Sequence, residues 1–221
     1  PEIANRTIKY PFPFSSYDAI LSPSQLLSGK ETVTRLMEGR NGPYYLFIGV
    51  VRASKGIATL VEAWKKSQAS RNATLIVAGK WYTDVPAAVR CELESLPSCV
   101  LVDRYLDDGE FVELIGGSRF IVMPYLDYAH SSILISCARH GGAVIVSDID
   151  LFRDFLPDYD LTCSPGDVDS LVRVLDASLC LQEADVNEKR RLLLSRVEQF
   201  DKELEASLAV VYADFREALG D

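Results

Sequence analysis

The 221 residues carry a formal net charge of −9, and 48% of them are hydrophobic, which fits one large globular domain or a domain and a half. Because this charge repels a phosphate backbone, the composition argues against a nucleic-acid partner and allows a small anionic ligand in a local cationic pocket. Five scattered cysteines and two histidines argue against a disulfide framework and a metal centre, and favour a reducing, cytoplasmic compartment. No apolar run approaches the length of a membrane span.

Residues 1–43 do not share the pattern of the rest of the chain. Prolines restrict Tyr10–Phe14 to an extended or turn-like form, and apolar residues at 26–36 predict a short helix. We expect this region to be a hinge from a preceding domain, since the chain starts at Pro1 with neither Met nor a charged leader.

The first repeating unit begins with the apolar run Tyr44–Ile48, which stops at Gly49. A short loop with Arg52 and Lys55 follows, and an amphipathic segment begins at Ile57. This order predicts a strand, a turn and a helix start, where backbone N–H groups and two cations attract an anion. The alternative is an ordinary loop with two solvated cations.

Strands and helices continue to alternate after this unit. Further strands are predicted at 73–79, 99–102, 120–123, 143–146 and 159–163. Helices are predicted at 86–96, 107–115, 131–140 and 167–179, with two more within 187–219. Such alternation predicts an α/β fold, a doubly wound, Rossmann-like parallel sheet of about six strands that binds ligands beyond the strands' carboxyl ends. The predicted division is a lead-in at 1–43, a main domain at 44–200 and a C-terminal helix at 201–221.

Five sequence blocks follow one another between residues 44 and 165. They are Phe47–Gly49 with Lys55–Gly56 and Leu60–Ala63, then Leu75–Gly79, Val100–Phe111, Val122–Tyr125 and Gly141–Asp148. In this order and spacing they resemble the C-terminal domain of GT-B-type glycosyltransferases, most closely retaining glycosyltransferase family 4.

The resemblance implies that the chain is the donor-binding half of a GT-B enzyme of the hexosyltransferase class. Such an enzyme moves a sugar, with retention of configuration, from a nucleoside-diphosphate sugar to an acceptor held by an N-terminal domain. It implies no cofactor and no obligatory metal, a role in glycan or glycolipid synthesis, and membrane contact only through the other half. The isolated chain is then expected to be inactive.

The resemblance also implies a set of donor-binding residues. They are Gly49, Arg52, Lys55, Arg104, Tyr105, His130, Ser131, Ser132 and Ser136. Lys55 and Arg52 would neutralise the leaving diphosphate and count as catalytic. The segment 130–132 would combine a helix N-cap with an anion site.

Four residues near the ends of the second and third predicted strands have a structural role as the alternative to ligand binding. Arg104 and Tyr105 follow the third predicted strand, where relatives frame the nucleobase. Arg104 is otherwise an exposed cation, and Tyr105 otherwise packs at the edge of the core. Trp81 and Tyr82, after the second strand, either shape the pocket or cover the end of the sheet.

The chain departs from the family at its acidic positions. Relatives carry two glutamates at the places of Tyr128 and Ser136, eight residues apart, and neither residue is acidic here. Asp127 is the nearest acid and a third catalytic candidate, with a solvated loop residue as the alternative. The competing hypothesis is a non-catalytic nucleotide-binding or interaction domain. An oxidoreductase is disfavoured, since no Gly-x-Gly-x-x-Gly follows the first strand.

Overall fold

A parallel sheet of six strands organises the chain in the computed structural model, which describes residues 21–127 and 132–219. The strands are β1 (Tyr44–Ile48), β2 (Thr74–Ala78), β3 (Cys99–Val102), β4 (Phe120–Met123), β5 (Val144–Ser147) and β6 (Thr162–Cys163). Their order is β3-β2-β1-β4-β5-β6, and every neighbouring pair is parallel. The predicted doubly wound, Rossmann-like α/β fold is therefore confirmed. The prediction for Tyr10–Phe14 lies outside the described residues.

Helices flank this sheet. They are α1 (Pro23–Leu36), α2 (Ile57–Lys66), α3 (Ala69–Asn72), α4 (Ala87–Ser95), α5 (Asp108–Gly117), α6 (Ser132–Arg139), α7 (Asp150–Phe155), α8 (Val168–Cys180) and α9 (Glu183–Leu219). One 3₁₀ turn, Ala53–Lys55, precedes α2. Asp107 is the N-cap of α5, and its carboxylate accepts the Glu110 N–H at 2.8 Å in a capping box. Within the described residues, no helix is both long and apolar enough to cross a bilayer.

The core lies on both sides of the sheet. Every residue of β1, β2, β4 and β5 is buried, as expected of parallel strands covered on both faces. The centre of the Tyr45 ring lies 5.5 Å from that of Trp64, in an edge-on contact, and 6.0 Å from that of Phe120, in a tilted one. Its hydroxyl shares a 2.7 Å hydrogen bond with Ser178 of α8, so the buried polar group is satisfied.

The prediction of two helices within 187–219 is wrong. The structure has one continuous helix, α9, of 37 residues, because no glycine or proline interrupts the sequence there. The predicted boundary between 200 and 201 falls inside this helix. Its first half packs on the domain, with Phe200 6.1 Å from Phe155 and Asp201 2.9 Å from Arg139.

The helix predicted near 26–36 is longer, and it packs against α5. Its closest approach runs through two glycines, since a Cβ on Gly29 would lie 2.3 Å from the carbonyl oxygen of Gly109. A Cβ on Gly109 would lie 2.1 Å from the Gln25 carbonyl oxygen. Only residues without side chains permit this spacing, so part of the predicted lead-in lies directly on the sheet domain.

Candidate functional site

The strand order creates a crevice between β1 and β4. The chain runs outward from β1 through β2 to β3, then crosses back to place β4 on the other side of β1. The loops that follow β1 and β4 therefore leave in opposite directions, which opens a ligand site at the carboxyl edge. The sequence placed its main candidates, Arg52 and Lys55, in the first of these loops.

The two loops pack directly on each other below the crevice. The Leu126 N–H donates to the Ser54 carbonyl at 2.9 Å. Gly56 has a φ of +71°, and a Cβ there would lie 1.8 Å from the Pro124 carbonyl oxygen. Glycine is therefore required for both its backbone conformation and its lack of a side chain, and it fixes the height of Lys55 relative to β4.

Gly49 forms the floor beneath the Lys55 ammonium. It has a φ of +98°, and a Cβ added there would lie 3.7 Å from Lys55 Nζ and 3.0 Å from Ile133 Cδ1. Three separate segments therefore meet at this point: the end of β1, the 3₁₀ turn and the first turn of α6. The sequence predicted Gly49 and Lys55 as donor-binding residues but did not point to Ile133.

Lys55 is a half-buried cation without a carboxylate partner among the described residues. Burial, and secondly the charge of Arg52, hold its pKa below the usual value for lysine. Its ammonium lies 5.4 Å from the centre of the Tyr125 ring, a contact that only partly replaces lost hydration. An anion bound above Gly49 would supply the missing countercharge.

Arg52 points away from Lys55, towards the loop after β2. Its guanidinium is exposed, lies 4.8 Å over the Tyr82 ring, and its Nε is 3.5 Å from the Asp84 carboxylate. Asp84 also accepts the Ala53 N–H at 3.4 Å. Part of the Arg52 charge is thus already compensated, so Lys55 is the stronger anion-binding candidate. No local pattern distinguishes Asp84 from the other acidic residues on the surface.

The described part of α6 begins at Ser132. Its second residue, Ile133, lies beside Gly49 on the same side as the Lys55 ammonium. A helix N-terminus at this place adds a partial positive charge. Ser136, one turn further on, is buried at 8% exposure. His130 and Ser131 lie outside the described residues.

The acidic candidate, Asp127, is exposed at the carboxyl edge. It is the last described residue before α6, and Tyr128 lies outside the described residues. Asp127 lies on the loop that follows β4, and its role as a sugar-binding acid stays a prediction.

Arg104 is engaged in a structural ion pair. Its two terminal nitrogens each lie 2.6 Å from an oxygen of the buried Glu110 carboxylate, which also accepts the Thr32 hydroxyl at 3.0 Å. The Arg104 guanidinium first, together with the Asp107 N–H and Thr32, holds the pKa of Glu110 at about 2. This network joins the end of β3 to α5 and α1.

Tyr105 belongs to a row of side chains across the ends of the first three strands. It is 68% exposed and Tyr82 is 40% exposed, and the neighbouring Tyr82 raises the pKa of Tyr105. With Arg52 over the Tyr82 ring, the row runs from the Lys55 loop to the end of β3. Among residues 21–127 and 132–219, no cluster of His, Cys, Asp or Glu is placed to hold a metal ion.

The family of the chain follows from the sequence itself. The family model for glycosyl transferases group 1 matches residues 34–192, which is most of the chain. The chain therefore belongs to the group 1 glycosyl transferase family, and the predicted resemblance is confirmed. A search of curated protein sequences gave no match.

Solved structures share this fold. A glycosyltransferase from Rickettsia africae is 19% identical with a TM-score of 0.68, and the match covers 91% of this chain and 53% of that one. An E. coli structure, described as trehalose-6-phosphate bound with UDP-2-fluoro glucose, is 15% identical with a TM-score of 0.66, covering 88% and 50%. The catalytic domain of Helicobacter pylori cholesterol-alpha-glucosyltransferase is 14% identical with a TM-score of 0.61, covering 72% and 99%. At these identities the similarity establishes the fold, and this chain spans about half of the first two proteins.

Proposed function

We propose that this chain is the donor-binding half of a glycosyltransferase. The crevice between β1 and β4 takes the diphosphate of a nucleoside-diphosphate sugar, and the complete enzyme transfers that sugar to an acceptor in glycan or glycolipid synthesis. The family match supports sugar transfer, and the UDP-sugar named for the E. coli neighbour belongs to the proposed donor class. The proposed donor site requires neither a metal ion nor a further cofactor.

The observation that carries this proposal is the uncompensated charge of Lys55. A half-buried ammonium normally lies beside a carboxylate, whereas Lys55 lies over Gly49 and beside the Tyr125 ring. The glycine leaves room for a phosphate oxygen to approach the ammonium. The nearby N-terminus of α6 adds backbone dipoles with the same sign.

This arrangement suits the chemistry of the leaving group. When the bond between the sugar and the diphosphate breaks, negative charge builds on the terminal phosphate oxygens. A cation that is already in place stabilises this charge more in the transition state than in the ground state. Lys55 is the residue proposed for this role, with Arg52 as a second cation once it leaves Asp84.

The nucleobase is assigned to the side of β2 and β3. Tyr82 and Tyr105 present exposed aromatic surface there, and planar bases stack on aromatic rings. Arg104 contributes through its ion pair with Glu110, which holds the Tyr105 segment on α5, rather than through a free charge.

Calorimetric titration with UDP tests the proposal. We expect Lys55→Ala to weaken binding by about 1–3 kcal/mol, the range for a lost charge-assisted hydrogen bond. Lys66→Ala is the matched control, since Lys66 is exposed and pairs with Asp169 at 3.1 Å. Equal affinity of wild type and Lys55→Ala would remove the phosphate assignment.

Arg52→Ala should have a smaller effect than Lys55→Ala. Asp84 already compensates part of the Arg52 charge, so that a ligand gains less from it, and exposure to solvent weakens the interaction further. The same titration measures both variants. A larger loss in Arg52→Ala than in Lys55→Ala would shift the phosphate site towards β2.

A second candidate is a nucleotide-binding domain without catalytic power. Its support is the lack of a carboxylate at Tyr128 and Ser136, together with the burial of Ser136. The two candidates differ in the complete enzyme, where the first requires sugar transfer and the second permits only binding. Loss of transfer in full-length Lys55→Ala, with folding intact, would favour the first.

A further inference from the structure

A separate cleft opens at the carboxyl end of β5. Its volume is about 250 Å³, and its walls come from the end of β5, from α7 and from the segment that leads into β6. Ligand pockets for drug-sized molecules usually enclose roughly 300–1,000 Å³, so this cleft suits a ligand of about one ring. None of the residues assigned to the diphosphate lines it.

The cleft lies on the same edge of the sheet as Lys55. Ser147 ends β5, which pairs with β4, and β4 pairs with β1. Two strand spacings, each about 4.8 Å, therefore separate β1 from β5, which is roughly 10 Å. A ligand in the cleft would be close enough to belong to the same set of substrates.

The charge of the cleft is opposite to that of the phosphate crevice. Its cation, Arg153, donates to the Asp148 carboxylate and carbonyl at 2.6 and 2.8 Å and to Asp150 at 2.6 Å. The guanidinium is therefore fully engaged by two carboxylates. Asp158 adds a further negative charge to the lining, so the cleft disfavours phosphate and accepts neutral ligands.

Two polar side chains in the cleft have no partner. Within the described part of the chain, the Asp158 carboxylate and the Thr162 hydroxyl make no hydrogen bond. The apolar part of the lining comes from Phe152 and Leu156, which are 2% and 3% exposed. Acceptor oxygens in a small cleft with an apolar base match a molecule that carries hydroxyl donors on its rim.

We propose that this cleft is a subsite for one neutral sugar ring, with Asp158 and Thr162 bonding to its hydroxyls. Asp158 accepts from the ring, and Thr162 donates or accepts. The assignment of this ring to the acceptor or product rests on the proposed function, whereas the binding itself does not. The subsite would hold a sugar unit beside the site where the donor diphosphate is bound.

The direct test is titration of the isotope-labelled protein with D-glucose, D-galactose and D-mannose, followed by NMR. We expect at least one hexose to shift the amide signals of Asp158 and Thr162, with a Kd on the order of millimolar. Glucose 6-phosphate should bind more weakly, because the lining is acidic. No shift with any hexose, or equally tight binding of the phosphorylated sugar, would overturn the subsite.

Variants separate the subsite from a general effect on the loop. Asp158→Asn should lower the affinity for the hexose about tenfold, because one charge-assisted hydrogen bond is lost. Asparagine tolerates the φ of +58° found at this position. Thr162→Val should also lower the affinity for the hexose. Asp160→Asn is the matched control, since Asp160 pairs with Lys189 at 2.7 Å outside the cleft lining. Equal losses in Asp158→Asn and Asp160→Asn would overturn the assignment.

Failure of the subsite is distinguishable from failure of the proposed function. Lys55→Ala should weaken UDP binding and leave hexose binding unchanged. Asp158→Asn should weaken hexose binding and leave UDP binding unchanged. Hexose binding without UDP binding would support the cleft and remove the donor site. UDP binding without hexose binding would overturn the cleft alone.

Discussion

At the scale of single residues, the protonation of Lys55 is the property that a bound nucleotide would change most. Burial and the charge of Arg52 lower its pKa in the free protein, whereas a bound diphosphate favours the charged form and raises it. Ligand binding and protonation of Lys55 are therefore linked, and each strengthens the other.

This linkage predicts a pH-dependent affinity. UDP affinity should fall as pH rises through the lowered pKa of Lys55, because the neutral amine no longer attracts the diphosphate. Calorimetry from neutral to alkaline pH measures the trend, and Lys55→Ala controls for titration of the ligand itself. Parallel pH profiles for wild type and variant would show that Lys55 does not face the phosphates.

The absent glutamates predict a phosphate-centred mode of binding. Ser136 offers a short neutral hydroxyl where relatives are expected to hold the ribose with a carboxylate, and hydrogen bonds to charged groups are stronger. Uridine should therefore bind at least about tenfold more weakly than UDP, the loss of one charge-assisted contact. Competition titration compares the two ligands, and UDP affinity should fall as salt screens the ionic attraction. A nucleoside that binds as tightly as its diphosphate would contradict the site.

Sequence reasoning found the residues of the first loop but not their partners. Gly49, Arg52 and Lys55 were predictable because a buried strand, a glycine and cations occur within one short stretch. The Tyr125 ring beside Lys55 and the Asp84 carboxylate beside Arg52 come from distant loops. Their proximity depends on strand order and side-chain direction, which no local pattern contains.

At the scale of elements, the buried Glu110 joins three parts of the fold. It accepts the Asp107 N–H in the capping box of α5, pairs with Arg104 after β3, and accepts a hydrogen bond from Thr32 of α1. Its pKa falls from an ordinary 4.5 to about 2. A carboxyl with a lowered folded-state pKa stabilises the protein above the unfolded value and loses that contribution as pH falls.

The resulting stability difference is measurable with Glu110→Gln. Glutamine preserves the capping box but removes the charge, so the wild type should be more stable at neutral pH by about 1–3 kcal/mol, allowing for the half-exposed Arg104. Thermal unfolding at several pH values should show this advantage shrinking between pH 4.5 and about 2. A constant difference across that window would mean that the ion pair contributes nothing.

The glycine contact between α1 and α5 predicts a second effect on stability. Gly29→Ala should destabilise the protein by about 1–3 kcal/mol, since the new Cβ meets the Gly109 backbone and forces the helices apart. Gly116→Ala is the control, because its Cβ would come no closer than 3.3 Å, to the His140 carbonyl oxygen. Denaturant unfolding compares them, and equal effects would indicate that α1 lies loosely on α5.

The sequence was most informative for strands and least for helix lengths. Short, mostly apolar runs located the six strands to within a few residues, because parallel strands are buried on both faces. The six-residue α7 carries no clear period, and α9 lacks a break where two helices were expected. A helix as short as α7 shows too few residues for a helical period, and a segment without glycine or proline shows no sign of where one helix ends.

At the scale of the whole molecule, the phosphate crevice and the acidic cleft share one open edge of the sheet. The proposals put the donor diphosphate in the first and a neutral ring in the second. Solved structures with the same fold include two chains of which the match covers only about half. Under the proposed function, this edge is the one that would face a second domain holding the acceptor.

The last prediction is that the 221-residue chain binds the donor but does not transfer its sugar. Transfer needs both substrates held in reacting geometry. This positioning lowers the activation barrier by several kcal/mol, and the effect is lost when one substrate is bound weakly. Release of UDP from UDP-glucose, with and without glucose or maltose, should stay at the level of Lys55→Ala. Calorimetry on the same preparation must show UDP binding, which establishes that the site is folded. Sugar transfer that wild type performs and Lys55→Ala lacks would show that this chain already contains a working acceptor site.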